Sequence, residues 1–214
     1  MAAMAAMIAL IDYGAGNLRS VHNALLAAGA TGVEVTSDAD TVARAERIVL
    51  PGVGAFAACM GALSRIPGMV EALDRRVVAE ARPFLGICVG MQLMAEAGEE
   101  HGRHDGLGWI GGTVRRLEPG DPALKVPHMG WNDVAPNPAA TARGAGLIAA
   151  GEAYFLHSYQ FDVADPADVL AATDHGGAVT AAVGRDTMVG VQFHPEKSQA
   201  YGLAFLARFL AWKP

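Results

Sequence analysis

The chain is predicted to fold as an α/β protein of three α/β/α layers, with a mostly parallel central sheet and helices on both faces. Three observations carry that expectation. Short apolar runs rich in Val, Ile and Leu alternate with stretches whose apolar residues recur at helical spacing. Apolar residues make up 52% of the 214 positions, enough for a substantial core. The 26 glycines and 11 prolines punctuate these runs and build no low-complexity tract. One domain spanning 1–214 follows, with neither linker nor internal repeat.

Met1 to Leu10 has the apolar look of a signal peptide, but it has no basic n-region and runs directly into Asp12 and a glycine turn. Its end, Ile8–Ile11, is the first strand. Asp12-Tyr13-Gly14-Ala15-Gly16-Asn17 then turns the chain into a helix carrying Leu18, Val21, Leu25 and Leu26 as far as Gly29. Gly14-x-Gly16 invites a dinucleotide-binding reading, but Arg19 stands where the fingerprint needs its third glycine. Further strands are expected at Val33–Thr36 and Arg47–Leu50, the latter ending on Pro51-Gly52-Val53-Gly54. Cys59 falls on the next helix as a core residue, and helical patterning resumes from Met69 to Ala81.

Pro83-Phe84-Leu85-Gly86-Ile87-Cys88-Val89-Gly90-Met91-Gln92 reads as a nucleophile elbow: a strand turning sharply into a helix, here one expected to reach about Ala97. At such a bend the middle residue is strained and exposed, and the flanking positions have room only for hydrogen. Gly86 and Gly90 supply that room. The free N–H groups and dipole of the helix start favour thiolate over thiol. The competing reading is a buried structural cysteine.

The remaining elements follow in order. His101, His104 and Asp105 lie in a polar loop and make no clear metal set, so neither metal nor cofactor is expected. Trp109–Val114 is a strand, with Arg115 and Arg116 on the surface. Lys125–Asn132 is a loop whose His, Met and Trp suit a contact surface as well as a core edge. Tyr154–Tyr159 is an apolar strand ending in a polar trio, in which His157 is more ordinarily a satisfied histidine than a second base. Val179–Val183 and Met188–Phe193 make a hairpin. Ser198 is expected to cap a closing helix whose apolar face is Leu203, Leu206, Phe209 and Leu210.

A second chemical site is Gln192-Phe193-His194-Pro195-Glu196. The proline restricts His194 to extended geometry, so His194 and Glu196 project the same way from one hinge. Thiol attack on an amide needs an imidazole to take and return the proton, and a carboxylate on the other ring nitrogen. Cys88, His194 and Glu196 supply those roles. Pro51–Gly54 is either an ordinary turn or an oxyanion site shared with the N–H of Val89.

Composition bounds the partners. The net charge of −6 has no basic block to meet phosphates, which argues against nucleic acid. No apolar stretch approaches the ~20 residues of a membrane helix. Two cysteines build no disulfide framework, and a reactive thiol is at home in the reducing cytoplasm.

These motifs together resemble the class I glutamine amidotransferases, whose pattern is an elbow cysteine followed much later by His-x-Glu. Asp-Tyr-Gly-x-Gly-Asn at 12–17 and Pro-His-Met-Gly-Trp-Asn at 127–132 narrow the resemblance to a glutaminase serving a (β/α)8-barrel cyclase subunit as a heterodimer. The resemblance spans nearly the whole chain, with Met1 to Met7 as extra leader. It implies that Cys88 attacks glutamine, that His194 is base and then acid, and that Glu196 orients it. It further implies an oxyanion hole of Gly52, Val53 and Val89, and a substrate held by Gly54, Gln92, His157, Ser158 and Tyr159. Asn17, Pro127, His128, Met129, Gly130, Trp131, Asn132 and Lys197 would face the cyclase. Rival readings are the glutaminase of a different ammonia-using synthase, a non-catalytic binding module, and a cysteine peptidase on the same elbow.

Overall fold

The computed structural model describes residues 7–214; all but Met7 of the leader expected at Met1 to Met7 lies outside the described residues. Strand β1 (Ile8–Ile11) leads into helix α1 (Leu18–Ala27), which Asn17 starts by accepting the Ser20 N–H at 3.4 Å. Strands β2 (Val33–Thr36) and β3 (Arg47–Gly52) stand where expected, the latter running two residues longer. Between them lies a short helix, α2 (Ala39–Arg44), too brief for its periodicity to show. Its start is set by Asp38, whose carboxylate accepts from the N–H groups of Asp40 and Thr41.

Helices α3 (Phe56–Ser64) and α4 (Met69–Leu73) follow, α4 widening into a π-helical stretch over Asp74–Ala79. Then come β4 (Phe84–Cys88) and α5 (Val89–Gln92). From β1 the chain steps out to β2, then back across β1 to β3 and on to β4. With right-handed crossovers, opposite steps place their helices on opposite faces of the sheet. The packing agrees: α1 lies against the closing helix α6 (Gln199–Ala211), whereas α2 and α3 lie against α4.

The rest of the chain adds β5 (Ala95–Gly98), β6 (His104–Asp105), β7 (Ile110–Arg116), β8 (His128–Pro136), β9 (Gly151–His157), β10 (Tyr159–Val163), β11 (Val169–Asp174), β12 (Ala178–Arg185) and β13 (Met188–Val191). The main sheet runs β2-β1-β3-β4-β13-β12-β11-β8-β9, parallel from β2 to β13 and antiparallel from β13 to β9. The parallel half is the predicted layer, and the antiparallel half extends it. A second sheet has the order β10-β7-β5-β6.

Four expectations are corrected. The helix after the elbow is a single turn, because Leu93 and Met94 give their carbonyls to Leu107, Trp109 and Ile110 and the chain then pairs as β5 with β7. The segment from His128 is no loop: it forms the nine-residue strand β8, paired with β9 from His128 beside His157 to Val134 beside Gly151. The buried face of α6 is Gly202, Phe205, Leu206 and Phe209, while Leu203 is 36% exposed. Gly202 explains the rotation, since a Cβ there would stand 1.9 Å from the Pro195 carbonyl oxygen, so this face makes the close approach. Finally, the Ser198 hydroxyl caps nothing. It donates to the His194 carbonyl at 2.7 Å and accepts from the Tyr154 N–H at 2.9 Å, tying the end of the sheet to β9.

Candidate active site

The site is built at the carboxyl ends of β3, β4 and β13, the edge where an open α/β sheet offers its loops to ligands. Cys88 ends β4 with φ 53° and ψ −111°, a conformation ordinary L-residues avoid. It is held there by close packing of backbone on backbone. A Cβ at Gly86 would stand 2.6 Å from the Gly90 oxygen, and one at Gly90 would stand 1.9 Å from the Leu50 oxygen. The elbow glycines are therefore required by contact as well as by the turn.

His194 follows β13 in extended geometry, with φ −100° and ψ 97°, and its N–H donates to the Tyr154 carbonyl at 2.9 Å. Pro195–Lys197 forms one 3-10 turn that swings Glu196 back, so that its Oε1 lies 2.8 Å from His194 Nδ1. Both side chains are almost wholly buried. Burial alone would push the His194 ring below its ordinary value, but the Cys88 sulfur and the Glu196 carboxylate, both accepting from the ring, outweigh it and raise His194 to about 9. The sequence-distant thiol and imidazole–carboxylate couple thus meet in one place.

Cys88, Val89 and His194 open on a cleft of about 300 Å³ that is also lined by Val53, Gly54, Gln92, His157, Ser158 and Tyr159. Every residue expected to hold substrate lies on it. Gly52 lies behind its wall, buried, where a Cβ would meet the Tyr13 hydroxyl at 2.7 Å. The Gln92 amide nitrogen donates to the Tyr159 carbonyl at 3.1 Å and to Gln192 Oε1 at 3.0 Å. Both its donors are spent, which leaves its oxygen to accept from a ligand.

Two residues escaped the sequence reading. Gln192, fully buried, donates its amide to the Cys88 sulfur at 3.6 Å. Glu100 brings a carboxylate to the cleft and accepts the Phe56 N–H at 2.8 Å. Gln192 stands two residues before His194, and its period-2 placement was the available signal. Glu100 sits in an acidic run, Glu96, Glu99 and Glu100, that reads as plain surface.

The backbone donors have a definite arrangement. Ile48 N–H donates to the Pro83 carbonyl, and the β3–β4 pairing continues unshifted to Gly52 beside Cys88. In such a parallel ladder alternate residues carry both bonds, so the Gly52 carbonyl is turned towards the Val89 N–H.

The surface strand is divided. Met129 and Trp131 are 62% and 46% exposed, and Lys197 places its ammonium 5.7 Å from the centre of the Tyr154 ring, itself edge-on to Trp131. Pro127 and Asn17 are exposed, and Gly130 and Asn132 are half-buried. His128 departs from the expectation of an outward-facing residue: pleating turns its ring inward, to 3% exposure. Its Nδ1 donates to His157 Nε2 at 3.0 Å, since His157 Nδ1 is committed to the Tyr159 carbonyl at 2.8 Å. The Asn132 amide completes the row by donating to His128 Nε2 at 3.0 Å. Burial pushes His128 down to about 4 and His157 down to about 3, so both rings are neutral.

An elbow thiol beside an imidazole and a carboxylate on an α/β sheet suits thiol-dependent acyl transfer, and the family described as glutamine amidotransferase class-I matches residues 9–211. The chain belongs to that family, and it is a glutamine amidotransferase. It is 62% identical over 209 residues to the imidazole glycerol phosphate synthase subunit HisH of Zymomonas mobilis subsp. mobilis, covering 97% of this chain and 96% of that protein. The HisH subunit of Rhodospirillum rubrum is 56% identical over 212 residues, covering 97% and 99%. Among solved structures, a glutamine amidotransferase superposes with TM-score 0.71 at 15% identity, covering 95% of this chain and 99% of that one. PurLQS from Thermotoga maritima superposes with TM-score 0.66 at 16% identity, covering 97% and 98%. These two likenesses concern the fold alone.

Proposed function

We propose that this chain is the glutaminase subunit of imidazole glycerol phosphate synthase, acting as one domain in the cytoplasm within a heterodimer with a (β/α)8-barrel cyclase. The observation that carries this reading is the 62% identity, along almost the full length of both chains, to a subunit of that synthase. Glutamine enters the cleft beside Cys88, whose thiolate attacks the carboxamide carbon. His194 delivers a proton to the leaving ammonia, and a glutamyl thioester remains. His194 then takes a proton from water, glutamate is released, and Glu196 keeps the ring oriented through both steps. Gln92 and Glu100 offer the free amide oxygen and the carboxylate that suit the α-ammonium of glutamine, with Gly54, His157, Ser158 and Tyr159 shaping the rest of the cleft.

The oxyanion donors are the N–H groups of Val53 and Val89. With the Gly52 carbonyl facing Val89, the Gly52–Val53 peptide has to turn over before both donors point at the developing charge. That supplies a gate against wasteful hydrolysis, opened when the cyclase is loaded. Ammonia then passes to the cyclase, which forms imidazole glycerol phosphate and aminoimidazole carboxamide ribonucleotide in histidine biosynthesis. Asn17, Pro127, Met129, Gly130, Trp131, Asn132 and Lys197 lie towards that partner, with His128 turned inward behind them.

Co-purification with the barrel cyclase, followed by a glutamate-release assay, tests the assignment. Cys88→Ala is expected to abolish glutamate release from the complex while ammonium salts still support cyclisation. Glutamine hydrolysis undiminished in that variant overturns the nucleophile. Glutamine hydrolysis as fast without the loaded cyclase as with it overturns the gate. Failure to bind the cyclase while hydrolysing glutamine points to a different ammonia-using synthase.

A further inference from the structure

Tyr13 and Cys59 are buried side chains for which the chemistry above has no use, and both are aimed at the loop that carries Val53. The Tyr13 hydroxyl donates to the Pro51 carbonyl at 2.8 Å. The Cys59 thiol donates to the Val53 carbonyl at 3.5 Å. Those two carbonyls flank the Gly52–Val53 peptide, one on each side. Tyr13 is 6% exposed and Cys59 2%, and burial raises the pKa of each, so both keep the proton that makes them donors. Between them the chain carries few side-chain restraints: Val53 is 45% exposed, Gly52, the last paired residue of β3, has no Cβ, and Gly54 sits at φ 114°.

We propose that Tyr13 and Cys59 are positioning residues for the oxyanion site, pinning the peptide planes on either side so that the Gly52–Val53 peptide alone is left to turn. Reorienting one peptide changes ψ of Gly52 and φ of Val53 and leaves the neighbouring carbonyls where they are. With both flanks held, the Val53 N–H moves on a single arc and stops at one place. Without them the loop has several arrangements, of which few present the N–H to the tetrahedral oxygen. Neither side chain touches the substrate, so the effect belongs to the transition state rather than to binding.

This inference rests on the glutaminase reading, and the two fail separately. The test compares wild type, Cys59→Ala, Cys59→Ser and Tyr13→Phe, each assembled with the cyclase, by steady-state glutamate release. Loss of a whole oxyanion donor costs about 10²–10³ in kcat, and loss of its alignment is expected to cost about tenfold. Cys59→Ala and Tyr13→Phe should therefore lower kcat about tenfold with KM within about twofold, and Cys59→Ser, which keeps a donor, should recover most of the loss. Alkylation of Cys88 by iodoacetamide, read by peptide mapping, forms no oxyanion and should proceed at the wild-type rate in all four proteins. A kcat in Cys59→Ala within twofold of wild type, a loss confined to KM, a serine variant as slow as the alanine one, or a matching fall in alkylation rate each overturns the proposal. An inactive wild-type complex overturns the glutaminase reading instead.

Discussion

The side-chain amide of Gln192 donates to the sulfur of Cys88 across 3.6 Å, joining residues 104 positions apart. The same amide is held from behind by Gln92, so its N–H is aimed rather than free to rotate. A donor at this distance stabilises a sulfur anion more than a thiol. Gln192→Leu is expected to slow alkylation of Cys88 by iodoacetamide at pH 7 by about tenfold, the equivalent of ~1.4 kcal/mol. An unchanged alkylation rate would show that the contact leaves the thiolate indifferent.

Glu100 is the test of how the cleft reads its ligand. Glu100→Gln keeps an acceptor for the Phe56 N–H and removes only the charge. A charge-assisted hydrogen bond contributes about 1.5–3 kcal/mol, so KM for glutamine should rise roughly 10- to 100-fold. A glutamine analogue without the α-amino group should be nearly indifferent to the substitution. Equal losses for both ligands would place Glu100 outside substrate recognition.

The pH behaviour of His194 follows from its neighbours. Its ring is raised to about 9 in the fold against an ordinary 6.5, so the folded chain holds more protons in that interval than the unfolded one. Its contribution to stability is complete below about 6.5 and is lost as pH rises through about 9. In Cys88→Ala, burial is opposed by Glu196 alone, and the ring should titrate lower than in wild type. Histidine-selective NMR titration checks both points, and an unaltered midpoint in the variant removes the thiol from the account.

Gly90 tests the elbow itself. A Cβ there would lie 1.9 Å from the Leu50 oxygen, which is backbone and has no rotamer to yield. Gly90→Ala is expected to cost about 3 kcal/mol or more, near the upper end of overpacking penalties, and to abolish glutamate release. Chemical denaturation measures the first. A variant as stable as wild type would mean that the strand and the helix turn can separate.

Much of this was legible before any coordinates. The first three strands, the elbow and the His-Pro-Glu hinge carry local chemistry, namely glycines at contact positions and a proline that fixes its neighbour, and they stand where the residues placed them. What was not legible depends on distant partners. Leu93 and Met94 are good helix formers, yet their carbonyls are taken by residues 107–110 and the helix stops. His128–Pro136 holds glycine, proline and charge, and is a strand because β9 and β11 lie alongside. Gln192 and Glu100 gain their importance from what stands opposite them, and no pattern within their own segments names it.

The row from Asn132 through His128 and His157 to the Tyr159 carbonyl has a single direction, because each ring gives a proton at one nitrogen and takes one at the other. Charging either imidazole would set hydrogen against hydrogen at the next link, so acidification dismantles the whole line at once. One end of that line stands on the cleft beside Cys88, and the other is rooted in the outward strand. Acid below about pH 4, where His128 takes a second proton, should therefore disturb entrance and outer face together, as a single event.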